Sequence, residues 1–129
     1  MSYEKARAVT LNAASGSDLA AGRFVDMGGS GLVYASAASG GVGVTAEAYD
    51  DSEVAAGNGS PAIPVVVEGV VEVEAGAALP LGTRVTGGTD GVAIAASAPA
   101  LAQGVVVGAA GAAGEFASVL LQPAAISQA

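Results

Sequence analysis

Three glutamates, Glu68, Glu72 and Glu74, fall within seven residues of the stretch "PVVVEGVVEVE", positions 64 to 74. They are the residues of this chain whose type and spacing first suggest chemistry. Paired carboxylates cleave glycosidic bonds when they face each other across a sugar, about 5 to 10 Å apart. On a strand, Glu72 and Glu74 would stand ~7 Å apart by rise alone. The distance suits the reaction but the surroundings do not. The chain has no Trp and only 4% aromatic residues, so it has no stacking platform for a sugar. The better reading is that the three acids form a solvated or interfacial acidic face.

Other chemistries are excluded by composition. With no Cys and no His there is no thiol nucleophile, no disulfide, no zinc site of the usual ligands and no histidine acid–base pair. Serines are present, but only Lys5 could act as an amine base to activate one. The run "YDDSE", Tyr49 to Glu53, lacks the D-x-D-x-D-G spacing of a calcium loop and reads as an exposed acidic loop. Gly28-Gly29 and Gly87-Gly88 are not followed by Gly-Lys-Ser/Thr, so they read as turns and not phosphate loops. No catalytic residue, cofactor or metal is expected.

Net charge narrows the partners. Twelve acids against four bases give −8. Nucleic acid binding needs clustered Lys and Arg, and an anionic membrane favours them too. Neither partner is expected. No run reaches the ~18 apolar residues of a membrane span, and the start "MSYEKARAV" lacks an apolar signal core. Synthesis in the cytoplasm is expected.

The elements that must position these residues are strands. Twenty glycines and five prolines punctuate short apolar runs. That is the pattern of an all-β sandwich or barrel. Strands are expected over residues 6–12, 22–27, 31–37, 41–48, 63–73, 83–86, 91–96, 104–108 and 115–122. Residues 48–62 read as an exposed loop, and 95–103 leaves room for one helical turn. In the opening stretch, Val65, Val67, Gly69, Val71 and Val73 should face the core. Val66, Glu68, Val70, Glu72 and Glu74 should take the other, mixed face. Gly69 in mid-strand suggests a bulge or a close backbone approach.

A repeat organises the strands. Residues 19–38 align with 79–98 without gaps at an offset of 60. Leu19, Gly22, Val25, Gly28, Gly31, Ala35 and Ala38 match Leu79, Gly82, Val85, Gly88, Gly91, Ala95 and Ala98. Each copy reads as a β-hairpin. The expected fold is a small single-domain barrel or sandwich over residues 16–129. It is built from two pseudo-repeated hairpins, near 19–48 and 79–109, and preceded by a flexible N-terminal arm, residues 1–15. The arm has strand propensity and carries half of the basic charge. An extended arm can add a strand to a neighbour's sheet, which makes Tyr3, Lys5, Arg7, Val9 and Leu11 the candidate gripping residues.

These segments also carry a resemblance. "DLAAGRFVDMGGSGLVYASAASGGVGVTA" begins with the hairpin. Val65 to Glu72 follow as V-x-V-E-G-V-x-E and Gly82 to Val85 as G-x-x-V. Gly104 to Leu121 close as G-V-x-x-x-A-A-G…V-x-L. Over most of residues 18–122 the chain resembles the decoration, or cement, proteins of tailed-bacteriophage heads. The resemblance implies a non-enzymatic protein, commonly a homotrimer, on the outer surface of the virion. There it would bind the major capsid protein and hold the mature head against its packed DNA. It supplies no catalytic residues. A second reading, from the residues alone, is a carbohydrate- or receptor-binding β module. That module would need Phe24, Tyr34 and Tyr49 in an exposed cluster.

Overall fold

The structure, a computed structural model, describes residues 6–36, 41–96 and 102–121. Its strands are β1 (Arg7–Asn12), β2 (Phe24–Gly28), β3 (Gly31–Tyr34), β4 (Gly43–Thr45), β5 (Ala62–Glu74), β6 (Arg84–Gly87), β7 (Ala93–Ala95), β8 (Gly104–Gly108) and β9 (Phe116–Leu121). Each lies within or beside a run where glycine and proline bracket β-branched residues. The loop expected between the two halves contains a short helix, α1 (Asp51–Ala55). The segment expected to hold a helical turn, 95–103, falls partly outside the described residues. Arg7–Asn12, inside the segment expected as an arm, is strand β1 paired with β5 of the same chain.

The strands form one sheet in the order β3-β2-β4-β5-β9-β8-β6-β7, and β1 adds to β5. This order reads the same outward from its centre. β1 pairs with Ala62 to Glu68 of β5, while Gly69 to Glu74 of β5 pair with β9. Each half is thus a first strand, a hairpin, a return strand and a last strand. β5 is the last strand of the first half and the first strand of the second. Parallel bridges join Ala13 to Leu32 and Ala75 to Ala93, so each half curls until its ends meet.

Hydrogen bonds repeat along with the strands. Gly22 N–H donates to Thr45 O at 2.8 Å, and Gly82 N–H to Val106 O at 2.9 Å. Leu19 exchanges both backbone bonds with Tyr49, and Leu79 does so with Ala110. The hairpins differ at their tips. Gly28 pairs with Gly31 across two residues, whereas the second hairpin runs through a 3-10 turn, Thr89–Gly91. The extra residue shifts the register, so Val25 faces Tyr34 but Val85 faces Ala95.

Two apolar clusters fill the curls. The first half's own cluster holds Ala13, Leu19, Val25, Leu32, Tyr49, Ile63 and Val65. The larger one joins Val73, Ala75, Leu79, Val85, Val106, Val119 and other second-half residues to Phe24, Ala35, Val44 and Val66 of the first. This corrects the simple alternation expected for β5. Val65 and Val73 are buried on the expected face, but against different clusters. Val66, expected on the mixed face, is also buried because it faces the junction of the halves.

Gly69 divides the two parts of β5. Its φ is +102°, in the region that costs an L side chain about 1 to 2 kcal/mol. A Cβ there would sit 2.7 Å from Ala6 Cα, which is backbone and cannot swing aside. The ladder to β1 slips one register beside it, where Arg7 faces Glu68 but Ala8 faces Val66. The glycine thus meets the close approach expected of it, and lets one strand serve both curls.

Candidate functional site

The three glutamates share a strand, but each is bound to a different partner. Glu68 pairs with Arg7, Nε to Oε1 at 2.7 Å, with both side chains about half exposed. Glu72 is exposed and accepts a 2.8 Å bond from Ser118 Oγ on β9. Glu74 is partly buried and accepts from Arg23 Nη2 at 3.0 Å. They line the sheet and tie it to its neighbours.

Sequence reasoning counted Arg23 only as one of four bases, yet it is the best-connected charge among the described residues. From just before β2 it reaches across the junction of the halves. Nη2 bonds Glu74, Nη1 donates to the Asp90 carbonyl at 2.9 Å, and the guanidinium lies 5.7 Å from the Tyr34 ring centroid. The last distance is within cation–π range. Tyr34 is fixed in turn, its hydroxyl accepting from Ala20 N–H at 2.8 Å. The partner Glu74 lies 51 residues away along the chain. No local motif announces such a contact.

The opposite side of the junction is the turn before β7. Asp90 takes φ 54°, and Gly91 takes φ +76° with its backbone against the Phe24 carbonyl, where a Cβ would collide. Beside it lies an open groove of about 590 Å³, lined by Tyr34, Ala35, Gly76, Thr89, Asp90 and Ile94 among others. Its lining has one carboxylate residue, Asp90, and the hydroxyl residues Tyr34, Ser36 and Thr89.

The candidate gripping residues are divided. Tyr3 and Lys5 lie outside the described residues. Arg7 is held by Glu68. Val9 and Leu11 are half-buried on the inward side of β1, Leu11 against the first-half cluster. Ala8, Thr10 and Asn12 alternate with them and are exposed.

The acidic segment 48–53 is used internally. Asp50 caps α1, its carboxylate accepting from Ser52 N–H and Glu53 N–H. A further bond from the Ser52 hydroxyl is the chief reason its pKa lies below the usual 3.8. Asp51 accepts from Gly16 N–H at 2.9 Å and from the Tyr49 hydroxyl at 2.7 Å. Those two bonds lower its pKa, and the same contact with Asp51 raises that of Tyr49 above 10.0. Asp18 accepts from Asp51 N–H at 2.8 Å. Among the described residues the aromatics form no exposed cluster: Phe24 and Tyr49 are buried, Tyr34 is half-buried and Phe116 is exposed.

No protein-family model matches this chain, and no curated protein does. Among solved structures, it is similar to that of the head fiber gp8.5 N base in bacteriophage phi29. The TM-score is 0.70 over 90% of this chain and 95% of that one, at 19% sequence identity. The chain shares its fold with a phage head-fiber base. The shared part takes in nearly the whole of both chains, so the likeness is not confined to one hairpin. At this identity it is a likeness of fold, and the phi29 base does not hand over individual site residues.

Proposed function

We propose that this chain is a non-enzymatic structural protein of a bacteriophage virion. It binds the outer surface of the head through the major capsid protein, as a homotrimer, and stabilises the mature head against internal DNA pressure. The observation that carries this reading is the fold shared with the phi29 head-fiber base along almost the full length of both chains. The resemblance of residues 18–122 to head decoration proteins points the same way. The chemistry agrees. Glu68, Glu72 and Glu74 are each tied to a separate partner in the sheet. A charge of −8 discourages contact with the genome.

The mechanism is added contact area. A copy seated across neighbouring capsid subunits must be torn off before they part, at roughly 25 cal/mol per Å² of apolar surface re-exposed. The test is co-sedimentation of the purified chain with empty mature shells, followed by heating of the loaded shells. The chain should pellet with saturable stoichiometry, and loaded shells should rupture at a higher temperature than bare ones. A chain left in the supernatant refutes the proposal. Removing residues 1–5 tests Tyr3 and Lys5 as gripping residues, with weakened binding expected. Removing residues 1–12 would not, because it also takes β1 out of the sheet.

A further inference from the structure

The two halves of this chain already show how one unit docks on the next. On the first half, Phe24, Ala35, Val44 and Val66 are buried in the cluster shared with the second. Around them, the Gly22 carbonyl accepts from Glu74 N–H at 2.9 Å and Arg23 reaches Glu74 and Asp90. This face of the first half therefore receives two things from the second: its first strand, residues 69–74, and its hairpin turn, residues 88–91.

The pairing registers identify the matching face of the second half. Phe24 becomes Arg84 and, because the second turn is one residue longer, Ala35 becomes Ala96: Ala35 N–H donates to the Phe24 carbonyl as Ala96 N–H does to that of Arg84. Val44 pairs with Phe24 as Val105 pairs with Arg84, and Val66 pairs with Val44 as Leu120 pairs with Val105. At the rim, Ala21 becomes Leu81 and Ala46 becomes Val107. Here Arg84 is exposed, and Ala96, Val105 and Leu120 are only half-buried. Leu81 is 67% exposed and Val107 48%. Ala21 and Ala46 are themselves exposed and line, with Val71, Glu72 and Phe116, an open groove beside the junction, and the second half has the larger Leu81 and Val107 in their places. Val105, Val107 and Leu120 on β8 and β9, with Leu81 before β6, form an apolar group around Arg84 that is more than the scatter of single exposed residues normal on a surface.

The complementary face is also present and also uncovered. The bridges Ala13–Leu32 and Ala75–Ala93 make β1 the counterpart of residues 69–74, so Thr10 and Asn12 correspond to Glu72 and Glu74. Both are exposed, as are the turn Gly29-Ser30 and, at 50%, Met27. The Arg23–Glu74 ion pair becomes Thr83 and Asn12, a neutral pair that two chains of charge −8 can bring together.

We infer that the outer face of β6, β8 and β9, around Arg84, Val105 and Leu120 and rimmed by Leu81 and Val107, docks a second copy of this chain, which seats its β1 and β2–β3 turn there. The contact is head-to-tail, between two different surfaces, so successive copies either close into a ring or extend into a filament. It rests on the homotrimer of the proposed function, which a closed ring of three copies satisfies, and needs no contact with the head.

The experiment is sedimentation equilibrium on the full chain over a wide concentration range. The wild type should rise above monomer mass. Leu81→Asp with Val107→Asp should stay monomeric, while Ala55→Asp, an exposed change on α1, should leave assembly intact. Leu81→Ala with Val107→Ala puts at the rim the alanines that the first half has there and should weaken association without an added charge. A chain blocked at the other face, Thr10→Arg with Met27→Asp, should pair one-to-one with the Leu81→Asp, Val107→Asp chain and go no further. A monomeric wild type overturns the inference. So does wild-type mass in either Leu81 and Val107 variant, or blocked chains that fail to pair. None of these outcomes involves shells, so the head-binding proposal is judged separately.

Discussion

Two arginines in this chain make ion pairs with glutamates of the same strand, and burial makes them unequal. Arg7 and Glu68 have side chains 63% and 46% exposed, whereas Arg23 and Glu74 are at 17% and 29%. Exposed pairs are screened and lose side-chain entropy, so they contribute about 0.2 to 1 kcal/mol. Arg23 adds a carbonyl bond and an aromatic face, and its removal leaves Glu74 partly desolvated without a partner. Urea unfolding of Arg7→Ala should show a loss below about 1 kcal/mol that shrinks further in high salt. Arg23→Ala should lose roughly 2 kcal/mol, with little change on adding salt. Equal losses would mean that Arg23 does not join the halves as its contacts indicate.

At the scale of elements, the strands were legible and the helix was not. Glycines at 22, 31, 82 and 91 flank valine-rich runs, so strand positions follow from punctuation and β propensity. α1 is only five residues long and buries none of them, so it has no apolar period to detect. The available signal was Asp50 followed three residues later by Glu53, the pattern of a capped helix start. The face of Val66 was hidden for another reason. Alternation tells which residues share a side of β5, but not that the second half covers the side opposite Val65. Glu68, Glu72 and Glu74 were read as a solvated or interfacial face, while their partners Arg7, Ser118 and Arg23 are too distant in sequence to infer. The cap has a pH signature. Asp50 and Asp51 both titrate below 3.8 in the folded chain, so their contribution is complete above that value and is lost as pH falls through the lowered values. Amide exchange at Ser52 and Glu53 should therefore quicken in acid, relative to β5, before the sheet opens. Asp50→Asn keeps an acceptor but removes the titration, and should flatten that dependence. An unchanged profile in Asp50→Asn would remove the cap as its cause.

For the whole molecule, the question is whether two similar halves behave as two units or one. Tandem repeats often open separately when each has its own core and the contact between them is small. Here the covalent and packing arrangements oppose that. β5 belongs to both halves and carries no break in pairing between Ala62 and Glu74 other than the slip beside Gly69. The larger cluster takes Phe24, Ala35, Val44 and Val66 from the first half, so opening the second exposes the first half's phenylalanine and two of its valines. Burying one such side chain is worth about 1.5 to 3 kcal/mol. A state with one half open would lose several of these together, in a chain whose core is mostly alanine and valine. Unfolding should therefore be a single transition. Hydrogen exchange under increasing urea should give the same opening free energy at Val25 in β2 and at Val119 in β9. If β9 opens at a clearly lower free energy than β2, the halves are separable and the shared cluster is not what holds them.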